Sequence, residues 1–152
     1  DVYHGRSFRR GKALFNGLCA NCHLFNGQGG AIGPDLTSVS GKYDAVGLLT
    51  EIMMPSKVIS DQHGSVILEL KDGSMVVGRE VGGDDASVRI AFNPADPEQV
   101  KVVKKADIVS TKPSPISMMP TNLLDTMTRD EILDLMMYVL SSGKVGNTAF
   151  DK

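Results

Sequence analysis

The run Cys19-Ala20-Asn21-Cys22-His23 constrains this chain more than any other feature. Two thiols three positions apart, followed at once by an imidazole, form the C-x-x-C-H pattern of covalent haem attachment. Chemistry sets that spacing. At the end of a helix, the two sulfurs can each add to one vinyl group of the same porphyrin, and the next residue presents a nitrogen to the iron. Both links are thioethers, so neither cysteine stays redox-active. Cys19 and Cys22 are therefore the expected attachment points of one covalent haem c, with His23 as an iron ligand. Other uses of the motif need different surroundings. A redox dithiol expects a βαβ context, whereas the residues before Cys19 read as helix. A structural zinc site needs about four ligands. Cys19, Cys22 and His23 are too crowded for one tetrahedral site, and His4 and His63 have no metal-like spacing.

Composition fits this reading. Two cysteines are too few for a disulfide framework. The 152 residues suffice for one ordinary domain or a small domain with an insertion. With 41% apolar and 22% charged residues, the chain reads as soluble and globular. A formal charge of -2 gives no electrostatic case for nucleic acid, which favours a strongly basic face. No apolar run approaches the ~18–20 residues that span a bilayer, so no transmembrane segment is expected. Asp1-Val2-Tyr3-His4 is not the charged start and apolar core of a signal peptide, as expected of a mature chain or of a piece of a longer one. Trp is absent and aromatic residues make up 5% of the chain, while Met occurs eight times. A core so short of large rings needs another large apolar body to pack around, and a haem would supply it.

Along the chain, Ser7 to Leu18 reads as a helix, with Phe8, Gly11, Phe15 and Leu18 on one stripe. Gly11 in a helix interior costs ~1 kcal/mol against Ala, which predicts a close helix crossing. Thr128-Arg129-Asp130-Glu131 is a capping box, and Ile132, Leu135, Met136, Val139 and Leu140 follow at helical spacing until Gly143. Crossed terminal helices, with Gly11 letting Tyr138 approach, would bracket the haem. Asp125, Asp130, Glu131 and Asp134 read as a helix start and its wet face rather than as paired catalytic carboxylates. A short helix is expected over Asp44 to Met53, with Val46, Leu49, Ile52 and Met53 able to face the haem and Pro55 ending it. The middle changes period. Val66–Leu70 and Met75–Val81 read as strands about an Asp72-Gly73 turn, Gly82 to Asp85 as a second turn, and Ser87–Phe92 and Val100–Lys104 as two more strands. Ile108–Ser110 adds a short one. The expectation is a single domain over 1–152, mainly α, with a small antiparallel β insertion over 61–112.

Gly11-x-x-x-Phe15, Cys19-x-x-Cys22-His23, Gly33-Pro34-Asp35-Leu36, Met119-Pro120 and Leu135-x-x-Tyr138 stand in the order of class I c-type cytochromes, which the chain resembles over almost its whole length. Gly33-Pro34-Asp35-Leu36-Thr37, Pro55-Ser56, Asp72-Gly73 with Gly78, Met119-Pro120 and Leu123-Leu124 resemble more closely the haem-binding domain of planctomycetes and verrucomicrobia. That domain is often fused to dehydrogenase-like or propeller-containing proteins. Asn122 stands where that pattern has Gly, and an Asn at positive φ would keep the turn.

The resemblance implies the cytochrome c fold, with terminal helices crossing around a haem, and His/Met ligation of the iron, which raises the potential and leaves no open site. It places the sixth ligand at Met119. Met118 beside it and the second Met-Pro pair, Met54-Pro55, compete for that role, and His63 is the non-Met rival. By the same analogy the Pro34 carbonyl accepts the other N–H of His23. Tyr43, Lys42, Ser56 and Lys57 are candidates to meet the haem propionates. The implied function is one-electron transfer, as a carrier or relay to or from a dehydrogenase or other redox partner, in the periplasm or another exported compartment. The alternative is a haem enzyme or gas-binding sensor with an open or labile sixth site. A third reading makes the β insertion a docking element, although its charges look mixed. Nothing in the sequence sets an oligomeric state.

Overall fold

The computed structural model describes residues 4–60 and 62–150, which form two compact units. The first contains the described residues up to Met54 and from Thr121 onward; the second is Pro55–Pro120. Asp61, the expected start of the β insertion, lies outside the described residues, as do the first three and last two residues of the expected 1–152 domain.

Three helices build the first unit: α1 (Phe8–Leu18), α2 (Ala45–Met53) and α3 (Arg129–Leu140). Each starts on a side-chain cap that satisfies an orphan backbone N–H. Ser7 accepts from the Arg10 N–H at 3.2 Å, and Asp44 from the Gly47 N–H at 2.7 Å. Thr128 and Glu131 form the reciprocal capping box, whose hydrogen bonds hold the exposed Glu131 carboxyl below its usual range. At the far end of α3, Ser142 and Gly143 both take positive φ, and the Gly143 N–H closes on the Tyr138 carbonyl at 2.9 Å.

Helices α1 and α3 pack against each other, and Gly11 is the point of closest approach. A Cβ there would overlap the Asp134 carbonyl oxygen and stand 2.8 Å from the Tyr138 Cβ. Around this contact lie Phe8, Phe15, Phe25, Tyr138 and Phe150, five of the chain's eight Phe and Tyr residues. Their ring centroids are 4.9–5.6 Å apart in edge-on or tilted pairs. Leu48, Leu124, Leu135, Met136 and Val139 complete the same core.

Asp134 corrects the expectation of a wet face on α3. It is fully buried. Its carboxylate accepts from the Ser7 backbone N–H at 3.0 Å and from Arg10 Nε at 2.5 Å, with Arg6 Nε at 3.8 Å. One turn earlier the exposed Asp130 pairs with Arg6 at 3.0 Å. A charge is buried only where it is paired and hydrogen-bonded, and these partners lie more than 120 residues away in sequence, where local patterning cannot see them. Asn122 is a second correction. It has no positive φ; its turn closes instead through an Asp125 N–H to Asn122 carbonyl bond of 3.3 Å.

The second unit is a five-stranded antiparallel sheet in the order β4-β3-β2-β1-β5, with β1 (Val66–Leu70), β2 (Met75–Gly83), β3 (Ser87–Ala91), β4 (Val100–Lys104) and β5 (Ile108–Pro113). Leu68, Val76, Val88, Ile90 and Val103 form its own core. The long β2 pairs with β1 from Met75 to Gly78 and with β3 from Arg79 onward, and a bulge between Glu80 and Gly82 interrupts the pairing with β3. Three strand ends differ from expectation, the first being β3, which stops at Ala91 rather than Phe92. Gly82 and Gly83 extend β2 rather than turning, because Asp84 makes the turn by accepting from the Ala86 and Ser87 N–H groups. β5 runs on to Pro113, since its pairing with β1 compensates for a sequence with no apolar alternation.

Replacing Gly11 by Ala is expected to destabilise the folded chain. The gain in helix propensity is ~1 kcal/mol, whereas prising the helices apart costs about 1–3 kcal/mol and breaks the register of Asp134 with Arg10. Urea unfolding of Gly11→Ala should show a lower midpoint at unchanged slope; a higher midpoint would contradict the close-contact account.

Candidate haem site

The motif sits where α1 runs out. Cys19 is the C-cap, its N–H still bonded to the Phe15 carbonyl at 2.8 Å. The N–H groups of Cys22 and His23 both return to the Cys19 carbonyl, at 3.1 and 3.0 Å. Two tight turns thus fold the pentapeptide onto the helix end. A loop then runs back along it, through hydrogen bonds from Gly30 to Ala20 (2.8 Å), Gly33 to Cys22 (2.7 Å) and Leu36 to Leu24 (2.8 Å).

That return places the Pro34 carbonyl 2.7 Å from His23 Nδ1. The contact requires the hydrogen on Nδ1 and so puts the imidazole lone pair on Nε2, the tautomer in which Nε2 can ligate a metal. Gly33 forms the wall behind the ring: a Cβ there would stand 2.6 Å from His23 Cε1 and 2.8 Å from Nδ1. Cys19 and Cys22 are not bridged. Burial, and secondarily Cys22 beside it, pushes the Cys19 thiol up to about 12. A catalytic dithiol depends on a lowered thiol pKa, so this environment is unlike that of a redox disulfide. A haem fits the donors present: two unbridged thiols at the required spacing, and an imidazole whose tautomer is fixed by a main-chain acceptor.

Residues 8–65 match the sequence model of the Cytochrome c family. The match supports a c-type cytochrome. It spans α1, the motif, the return loop and α2. No curated protein was found to match the chain. Cytochrome c domains hold haem c covalently, act generally as electron carriers and are typically exported. Among the described residues, no helix is long and apolar enough to cross a membrane.

The other expected site residues are distributed as follows. Of the residues expected to face the haem from α2, Leu49 and Ile52 pack against the core of the first unit, whereas Val46 and Met53 are exposed, and Leu48 is the buried position of that helix. Lys42 Nζ lies 5.0 Å from the centre of the Tyr43 ring. Met54, the C-cap of α2, is 54% exposed. Met118, Met119, Ser56 and His63 belong to the second unit. There the Met119 N–H donates to Ser117 Oγ at 3.1 Å, and Ser56 Oγ accepts from the Ser117 N–H at 3.0 Å. Burial, with Arg79 nearby, holds the His63 pKa below its ordinary value.

Sequence reading missed several contacts that shape the loop after His23. Asn26-Gly27 is a two-residue hairpin turn with φ of +53° and +80°, closed by paired bonds between Phe25 and Gln28. Asn26 Nδ2 also donates to the Ser142 carbonyl at 3.0 Å, tying the loop to the end of α3. Asp35 accepts from the Thr37 N–H and hydroxyl, which holds its carboxyl below the usual range. The dipeptides Asn-Gly and Asp-x-Thr are readable turn signals.

Gly33→Ala should displace the His23 ring and weaken iron ligation. The expected outcome is a lower yield of matured holoprotein and a shifted midpoint potential. Gly17→Ala is the control: a Cβ there meets nothing within 4 Å, and both readouts should match the parent protein. Equal behaviour of the two variants would remove the role given to Gly33.

Proposed function

We propose that this chain is a one-electron carrier or relay, with one haem c attached at Cys19 and Cys22, His23 as proximal ligand and Met119 as the sixth ligand. The observation that carries the reading is the hydrogen bond between His23 Nδ1 and the Pro34 carbonyl. Bound there, the haem supplies the one-electron couple. The protein's part is to hold, orient and shield. The paired thiols fix position, the Pro34 carbonyl raises the basicity of the imidazole and sets its plane, and the Gly33 backbone keeps the ring from tilting. A thioether as sixth ligand raises the potential and closes the iron to exogenous ligands. Met119 is assigned by its place before Pro120, ahead of α3, where the class I pattern has its ligand.

The whole chain is proposed to be a single cytochrome c domain, arranged with its terminal helices about the haem and the sheet of the second unit inserted ahead of the Met119 loop. It then resembles the planctomycete and verrucomicrobial haem-binding domain. The redox partner is a separate protein or a fused dehydrogenase. Haem attachment takes place outside the cytoplasmic membrane in bacteria, so the compartment is the periplasm or another exported one.

Intact-mass analysis of matured protein should show the mass of one haem, retained after denaturation, and loss of it in Cys19→Ala/Cys22→Ala. The oxidised protein should be low-spin, with a sulfur-to-iron charge-transfer band. Met119→Ala should lose that band, become high-spin, bind CO or cyanide readily and fall in potential. An unaltered spectrum in Met119→Ala would transfer the ligand role to another residue, and parent protein that already takes CO would overturn the carrier reading.

A further inference from the structure

The loop that delivers the Pro34 carbonyl is stitched by rungs that advance together along its two arms. The Gly33 N–H donates to the Cys22 carbonyl, His23 Nδ1 to the Pro34 carbonyl, the Leu36 N–H to the Leu24 carbonyl and the Asn26 N–H to Thr37 Oγ1, at 2.7, 2.7, 2.8 and 2.9 Å. The Gly33 and Leu36 rungs join backbone to backbone and do not depend on a side chain. The Asn26 rung ends on the Thr37 hydroxyl, so it is the one that a side-chain substitution in the far arm can remove.

Thr37 is oriented for that rung by its neighbour. Asp35 Oδ1 accepts from the Thr37 N–H at 2.8 Å and from the Thr37 hydroxyl at 2.6 Å. The single hydroxyl proton therefore points at Asp35, which leaves the lone pairs of Oγ1 for Asn26. The bonds run in one direction, from the Asn26 N–H through the Thr37 hydroxyl to a carboxylate, and a charged end strengthens such a chain. The lowered pKa of Asp35 has the same origin, the hydroxyl and then the N–H of Thr37. The other end is anchored. Asn26 Nδ2 donates to the Ser142 carbonyl at 3.0 Å, just beyond α3, and Ser142 Oγ lies 3.0 Å from Ser40 Oγ. Asn26 and Ser142 both take left-handed φ, +53° and +56°, which residues with a Cβ keep only where the surroundings hold them. Asn26 is thus a fixed post, and Thr37 latches the arm from Pro34 to it.

We propose that Thr37, oriented by Asp35 and latched to Asn26, is a positioning residue for the iron ligand: it sets how closely the Pro34 carbonyl stands to His23 Nδ1. The inference rests on the reading of His23 as the proximal ligand. Pro34 has no N–H of its own, so its carbonyl is placed by the rungs before and after it. Without the Thr37 hydroxyl the arm beyond Pro34 keeps the Leu36 bond as its tie to the near arm, and the carbonyl can withdraw. A longer bond to Nδ1 makes the imidazole a weaker electron donor. That destabilises the ferric state relative to the ferrous state and raises the midpoint potential.

Thr37→Val removes the hydroxyl and Thr37→Ser retains it, which makes the pair the test in matured holoprotein. Thr37→Val should raise the midpoint potential by about threefold to tenfold in the oxidation equilibrium, ~30–60 mV for one electron. In the reduced protein, the His23 Nδ1 proton followed by NMR should exchange faster with solvent. Thr37→Ser should match the parent in both readouts. Asp35→Asn, which keeps an acceptor oxygen without the charge, should quicken that exchange by less, and it decides the question if Thr37→Val does not mature. The proton is its readout, because loss of a charge moves a potential by itself. Ser74→Ala is the control: Asp72 and Ser74 make the same pair of bonds, 2.9 and 2.6 Å, at the β1–β2 turn of the second unit, and both readouts should stay at the parent values. A potential and a His23 proton unmoved in Thr37→Val, exchange unmoved in Asp35→Asn, failure of Thr37→Ser to match the parent, or an equal shift in Ser74→Ala would each overturn the proposal. Haem attached and iron low-spin in all four variants separates that failure from failure of the electron-carrier reading, in which the parent itself would lack the haem or take CO.

Discussion

The first unit depends on a helix crossing close enough for backbone to touch backbone. At Gly11 there is no room for a methyl group, and the neighbouring turn of α3 carries a carboxylate, Asp134, with no exposure to water. An unpaired charge in that position would cost several kcal/mol. It is tolerated because the first turn of α1 brings a backbone N–H and the Arg10 guanidinium to it. Steric and electrostatic conditions select the same register, so the two helices meet at one height. The aromatic cluster of Phe8, Phe15, Phe25 and Tyr138 packs beside that crossing, and the end of α1 delivers the Cys19–His23 turn.

Much of this was legible in advance, for identifiable reasons. Helices α1, α2 and α3 announced themselves because caps and periodicity are local: Ser7, Asp44 and Thr128 each lie within three residues of the N–H they satisfy. The C-x-x-C-H motif was legible for the same reason, being one pentapeptide. Gly11 signalled a crossing because a glycine inside a helix needs a packing reason. Strands β1 to β4 followed from alternation and turn residues.

What escaped sequence reading was set by partners far along the chain. Asp134 looks like any charged helix residue until Arg10 and Ser7 arrive from the other terminus. β5 has no alternation to display, and its last residues are strand only because β1 offers a ladder. Gly82 and Gly83 carry the composition of a turn but lie in β2, since Asp84 turns the chain one residue later. The contact of Gly33 with the His23 ring belongs to this class too, ten residues apart in sequence and brought together by the return loop.

The acceptor that orients His23 is a main-chain oxygen, and this has a consequence for how such a site can vary. A side-chain acceptor can be deleted by one base change. The Pro34 oxygen survives every substitution at its own position, and only a shift of the surrounding loop can withdraw it. The electron donation of the imidazole is thus buffered against mutation at the acceptor and exposed instead to the path of the chain from Gly29 to Leu36. Were His23 to hold an iron as proposed, insertions and glycine replacements in that stretch would be the way to retune it, an adjustment of distance and angle rather than of chemical type.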